Sequence, residues 1–148
     1  MPKEIERRFL VDEKKLPPLG RGKHYAQGYL STAPVVRVRV IENVQGKLTI
    51  KGPTLHRTRD EFEYSIPAEE AKAMLALCKA KLSKTRFQFG RWEIDRFDAP
   101  LDGLWLAECE LDREDEPLPE AGPWLGQEVT NDGGYSNASL ATNGLPKP

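Results

Sequence analysis

The chain has 148 residues, 30% of them charged, yet its formal net charge is only −1. So even a balance gives no overall field toward nucleic acid or a membrane surface, and no apolar run approaches the roughly 20 residues of a membrane-spanning helix. Two cysteines form no disulfide framework and two histidines stand apart from each other, which argues for a reducing, cytoplasmic setting and against a zinc site.

The first regular pattern covers residues 4–11. Glu4, Glu6 and Arg8 alternate with Ile5 and Phe9, a period of two that sends side chains to opposite faces of a β-strand. The charges begin at Lys3 and leave no signal-peptide pattern. A Leu-Pro-Gly loop at 16–22 precedes a second strand at 24–31, and Ala33-Pro34 makes a turn. In the strand 35–41, Arg37 and Arg39 share one face while Val36, Val38 and Val40 share the other. A hairpin turn at 43–46 leads to a strand at 47–51, where Lys47, Thr49 and Lys51 oppose Leu48 and Ile50. After a loop at 52–58, the strand 59–66 sets Arg59, Glu61 and Glu63 against Phe62, Tyr64 and Ile66.

One helix follows. Pro67 suits its first turn, and Glu69 and Glu70 favour its positive end. Ala71, Met74, Leu75 and Cys78 fall at i, i+3, i+4 and i+7, a stripe expected to lie on the apolar side of the sheet. Three more strands are expected, at 82–89, 92–97 and 104–111. Lys84 and Arg86 oppose Thr85 and Phe87, and Glu108 and Glu110 oppose Ala107, Cys109 and Leu111. The acidic loop 112–120 reads as solvated charge, and 135–141 as one helical turn. The length suits one domain over 1–148, with 142–148 as a loose tail.

On one strand, such charge is the solvated face of an antiparallel sheet. Repeated through most strands, it predicts an α+β, mainly antiparallel fold that closes into an eight-stranded, tunnel-shaped barrel, with the charges inside and a few helices outside. Closure removes the sheet edges, and about eight strands leave room for one small ligand. The lumen would hold Arg8, Arg37, Arg39, Lys47, Lys51, Arg59, Lys84 and Arg86 with Glu4, Glu6, Glu61, Glu63, Glu108 and Glu110. Partly buried ions need partners, and the cations outnumber the carboxylates. Arginine and lysine suit phosphate. Carboxylates without histidine or cysteine suit Mg²⁺ or Mn²⁺. The ligand expected is a polyphosphate bound with metal.

Taken in order, these pairs resemble the triphosphate tunnel metalloenzymes, the CYTH superfamily. Glu4-Ile5-Glu6-Arg7-Arg8 is similar to its ExExK signature, Arg37 and Arg39 to its RxR strand, and Lys47 to Lys51 to its basic fourth strand. Glu61 and Glu63 match its ExE, Lys84 and Arg86 its KxR, and Glu108 and Glu110 its late ExE. Residues 124–130 and 135–141 look like the end of its small bacterial members. Arg8 stands where the signature ends in lysine, which keeps the charge and changes the geometry. The resemblance implies a divalent-metal-dependent triphosphatase cleaving inorganic tripolyphosphate to pyrophosphate and phosphate. The six glutamates would hold metal or position water, with Glu108 and Glu110 the candidates for orienting water, and the arginines and lysines would grip phosphate, Lys84 and Arg86 beside the reaction. The partner implied is a triphosphate-containing small molecule, with neither nucleic acid nor membrane, and a homodimer is left open. A class-IV type adenylyl cyclase, a thiamine or nucleoside triphosphatase, and a non-catalytic polyphosphate or nucleotide binder remain alternatives. The absence of a recognisable base pocket disfavours the cyclase.

Overall fold

The computed structural model describes residues 3–147. Nine strands form one antiparallel sheet: β1 (Lys3–Val11), β2 (Lys23–Thr32), β3 (Val35–Ile41), β4 (Gln45–Lys51), β5 (Thr58–Ile66), β6 (Ala80–Phe89), β7 (Trp92–Phe97), β8 (Trp105–Glu110) and β9 (Leu125–Glu128). They follow the order β5-β4-β3-β2-β6-β7-β8-β1-β9, and a β1–β5 pairing closes the first eight into a barrel. β1 makes the closure with its first three residues, Lys3 to Ile5. Glu4 lies opposite Arg59 on β5, whereas Phe9 lies opposite Glu128 on β9. One edge of β1 is thus shared between two strands, with β8 paired along the other.

The hairpins follow local chemistry. The β3–β4 turn places Glu42 and Asn43 at φ 51° and 62°, a left-handed conformation that asparagine tolerates. The Glu42 carboxylate accepts from the backbone N–H of His24 at 2.8 Å and holds the turn against β2. The turn lies one residue earlier than expected, because Gln45 and Gly46 already pair with Ile41 and Val40.

The apolar residues pack outside the barrel wall and at one end of it. Helix α1 (Ala68–Leu77) lies across the outer face of β2, β3 and β4, where Ala71 and Cys78 are buried with Val38 and Val40, and Met74 and Leu75 pack beside them. Two glycines allow the close approach. A Cβ on Gly28 would come 2.7 Å from that of Cys78, and one on Gly46 2.7 Å from that of Ala71. A second outer cluster joins Phe9, Phe87, Trp92, Cys109 and Trp124, with Trp92 edge-on to Phe9 and to Trp124 at 5.6 and 5.7 Å. The loop 112–120 contributes to it. Leu118 packs against the cluster, and Glu116 accepts from Asp112 N and pairs with Arg91 at 2.7 Å. That loop is therefore tied down rather than simply solvated.

The third cluster is the barrel's floor. Leu10 faces Leu106 across β1 and β8, and these pack with Leu82, Phe97, Leu101, Val129 and Leu140. Leu82 and Leu106 share the alternation of Lys84 and Glu108, so the inward face turns apolar at this end. Leu140 belongs to α2 (Asn137–Asn143), which crosses the end of the barrel. Residues 142 and 143 are helical rather than tail, and Pro146 packs near Gly134; Pro148 lies outside the described residues. β9 was not expected from the sequence.

Candidate active site

Alternation along each strand turns the charged residues inward. Arg8, Arg37, Arg39, Lys47, Lys51, Arg59, Lys84 and Arg86 line one cavity of about 350 Å³ with Glu4, Glu6, Glu61, Glu63, Glu108 and Glu110. Every residue named from the sequence as a site candidate therefore reaches the same space. The barrel order sorts them by sign. β8, β1 and β5 are neighbours and carry those glutamates. β4, β3 and β6 carry most of the cations, with β2 between β3 and β6. A second cavity, of about 470 Å³, shares Glu4, Glu6, Arg8 and Arg59 and opens beside Thr54, His56, Arg57 and Thr130, where β1 passes from β5 to β9.

The carboxyl wall is built from two acid pairs. Glu6 with Glu108 and Glu4 with Glu61 are the two pairs, and in each the carboxyls act on one another's ionisation. Burial and the charge of Glu108 hold the Glu6 carboxyl well above the usual range. Burial alone would raise Glu108 too, but Arg8 and Lys84 hold it well below. Likewise burial opposes ionisation of Glu4, and Lys51, 3.0 Å from both its oxygens, prevails, while burial and the charge of Glu4 raise Glu61. Each pair thus has one ionised member and one inclined to keep a proton. Arg8 bridges the wall, 2.8 Å from Glu6 and 3.4 Å from Glu108. Glu110, nearer the mouth, is raised by burial and by Glu4 and Glu93.

The cationic wall holds its groups unequally. Arg86 donates Nε and Nη2 to both oxygens of Asp95 at 2.8 and 2.9 Å, and Nη1 lies 3.2 Å from Glu93. Lys84 is fully buried, 2.7 Å from Asp95, and donates to Asn137 Oδ1 at 2.8 Å. Burial outweighs the attraction of Asp95, Arg86 and Arg39 add their repulsion, and the Lys84 ammonium is brought down to about 7. Arg37 donates to Thr49 at 3.1 Å and lies 3.6 Å from Glu63, but its buried Nε has no partner. Arg39 donates Nε to Gln27 at 2.9 Å and pairs with no carboxylate among the described residues. Burial, then Arg37 and Arg86, lowers its hold on its proton. Among the described residues, Arg59 donates only to the Gly52 carbonyl, at 3.0 Å. Lys47 donates to Ser65 at 2.9 Å.

The sequence reading missed Glu93 and Asp95 on β7, Tyr25, Gln27 and Tyr29 on β2, and Asn137 on α2. The signal for the first two was present, because Glu93 and Asp95 alternate with Trp92 and Ile94 as the other pairs do. They bring the acids level with the cations, so the expected cationic surplus is absent. Room for an anion comes instead from the segregation of sign and from the unfilled donors of Arg37 and Arg39.

Could these residues take a divalent cation? Among the described residues, no three His, Cys, Asp or Glu side chains already converge as a cage. The donor chemistry nevertheless fits. Carboxyls crowded together present oxygens where a hard cation would relieve their repulsion, and Mg²⁺ takes only one or two carboxylates and fills its shell with water and phosphate oxygens.

Comparison with known proteins shows the family. The CYTH domain family model matches residues 2–144. An inorganic triphosphatase of Acetivibrio thermocellus is 40% identical, covering 97% of this chain and 96% of its own. One from Nitrosomonas europaea is 32% identical over 93% of this chain and 96% of its own. A crystal structure of an inorganic triphosphatase superposes at a TM-score of 0.63 with 30% identity, covering 100% of this chain and 98% of that one. With the family model matching nearly the whole chain and a relative 40% identical, the chain belongs to the CYTH domain family.

Proposed function

We propose that this protein hydrolyses inorganic tripolyphosphate to pyrophosphate and phosphate inside the barrel, with Mg²⁺ or Mn²⁺. The observation that carries the reading is a lumen with a carboxyl wall facing a cationic wall, where Arg37 Nε has no partner and Arg39 pairs with no carboxylate among the described residues; the names of the relatives support the substrate class. The phosphate chain lies along Arg37, Arg39 and Arg86, with Arg8, Lys51, Arg59 and Lys84 around it and Lys47 at the rim. Hydrolysis of a phosphoanhydride is mostly positioning and charge stabilisation. Glu4, Glu6, Glu61, Glu63 and Glu108 are the groups to hold the cation, which when bound would screen phosphate charge and acidify water. Glu110, with its raised pKa and place near the mouth, is better suited to accept a proton from the attacking water than Glu108, which is held strongly ionised.

A phosphate-release panel tests this. Tripolyphosphate, pyrophosphate, ATP and thiamine triphosphate are each supplied with Mg²⁺, Mn²⁺ or chelator. Cleavage of tripolyphosphate only with metal is expected. Cyclic AMP formed from ATP, or tight binding with no turnover in any arm, would defeat the reading.

Binding should also take up a proton. A polyanion beside Lys84 restores its charge, so above pH 7 the complex holds a proton that the empty protein lacks. Affinity therefore falls as pH rises above about 7, by up to about tenfold per unit. Calorimetry at pH 8 in two buffers of different ionisation enthalpy should show uptake that shrinks in Lys84→Met. The same linkage makes the empty protein more stable from about pH 7 toward ~10.4, because the unfolded chain then binds the additional proton.

A further inference from the structure

We propose that Tyr25 is a positioning residue of the cationic wall, its ring held between Arg39 and Arg86 so that both guanidinium groups face the phosphate chain in fixed orientation. The inference rests on the triphosphate-binding reading above.

Tyr25 lies on β2, between β3 and β6, and lines the cavity. Its direct neighbours are Ile41 and Lys84. Arg39 sits opposite Gln27, two residues onward, and Arg86 opposite Lys23, two residues back. One arginine thus reaches the ring from each flanking strand, on opposite diagonals. Both guanidinium carbons lie 4.9 Å from the ring centroid.

Arg39 and Arg86 repel each other, and an aromatic ring in contact with both guanidinium groups offsets part of that repulsion. The effect bears most on Arg39. Asp95 fixes Arg86 by two hydrogen bonds. Arg39 has one hydrogen bond, to Gln27, and no carboxylate among the described residues. The ring is what keeps its remaining N–H groups from turning away. An anion then meets the remaining N–H groups of both arginines already oriented instead of having to order them.

The test compares Tyr25→Phe, which keeps the ring, with Tyr25→Leu, which removes it. Tripolyphosphate affinity is measured by calorimetry with chelator present, alongside KM and kcat with metal. The leucine variant should bind and reach half-saturation about tenfold more weakly, with kcat changed less than KM, while the phenylalanine variant stays close to wild type. Tyr25→Met repeats the comparison without a π face should the leucine variant fold poorly. Wild-type affinity in both ringless variants, or a phenylalanine variant as weak as they are, would overturn the proposal. Tripolyphosphate that binds wild type without being cleaved would defeat the hydrolase reading and leave this one standing. Failure of wild type to bind it would end both.

Discussion

Asp95→Ala should lower stability by about 3–5 kcal/mol, the loss expected when one partner of a buried ion pair is removed and the other charge is left uncompensated. Asp95 is fully buried and takes three short contacts, one from Lys84 and two from Arg86. Burial opposes its ionisation, and the two cations override it and hold the carboxyl below its usual range. Without it, Lys84 would give up its proton, being already close to doing so. Arg86 has no such escape and would lean on Glu93 at 3.2 Å. A loss of that size is a large part of the 5–15 kcal/mol a domain usually has, and should appear as a melting temperature lower by roughly 10 °C or more. Tripolyphosphate should raise the melting point of the variant more than that of wild type, because the anion meets the charge that Asp95 left. An unchanged melting point would mean that the two cations find other partners.

Asp95 also shows where sequence reading stopped. The barrel was legible because Val35–Ile41 and its neighbours place charge and aliphatic carbon on strict alternation, and because inward charge on so many strands fits only a closed sheet. Boundaries of β3 and β7 follow from that alternation alone. In β7 the pair Glu93 and Asp95 has the same alternation, but its role depends on Arg86 and Lys84 across the ladder, a relation that periodicity within one strand does not carry. Tyr25 and Gln27 were invisible for a related reason. Neither carries a charge, and each matters through arginines on neighbouring strands, Gln27 through Arg39 and Tyr25 through Arg39 and Arg86. β9 has four residues, too few for a period, and its Gly-Gln-Glu segment is polar throughout. The floor was hidden because Leu10, Leu82 and Leu106 break the charged alternation, and only the barrel's closure shows that they meet.

Glu6→Gln should separate activity from stability. Glutamine has the shape of a protonated glutamate, and Glu6 is the member of its pair that keeps a proton where a free carboxyl has lost it. The amide oxygen can still accept from Arg8, so the fold loses little. In wild type the raised pKa means that the folded state binds more protons than the unfolded one above about pH 4.3, and stability declines as pH rises through that window. Glutamine does not titrate, so the variant should melt at or above the wild-type temperature, with the margin growing at higher pH. Its metal-dependent turnover of tripolyphosphate should fall at least about a hundredfold, because the pair can no longer release a proton and present two anionic oxygens to a cation. The rise in melting temperature on adding Mn²⁺ should shrink with it. Rates equal to wild type in this variant would remove Glu6 from the site, and a large fall in melting temperature would mean that Glu6 is ionised in the empty protein and that its charge, not its proton, secures Arg8.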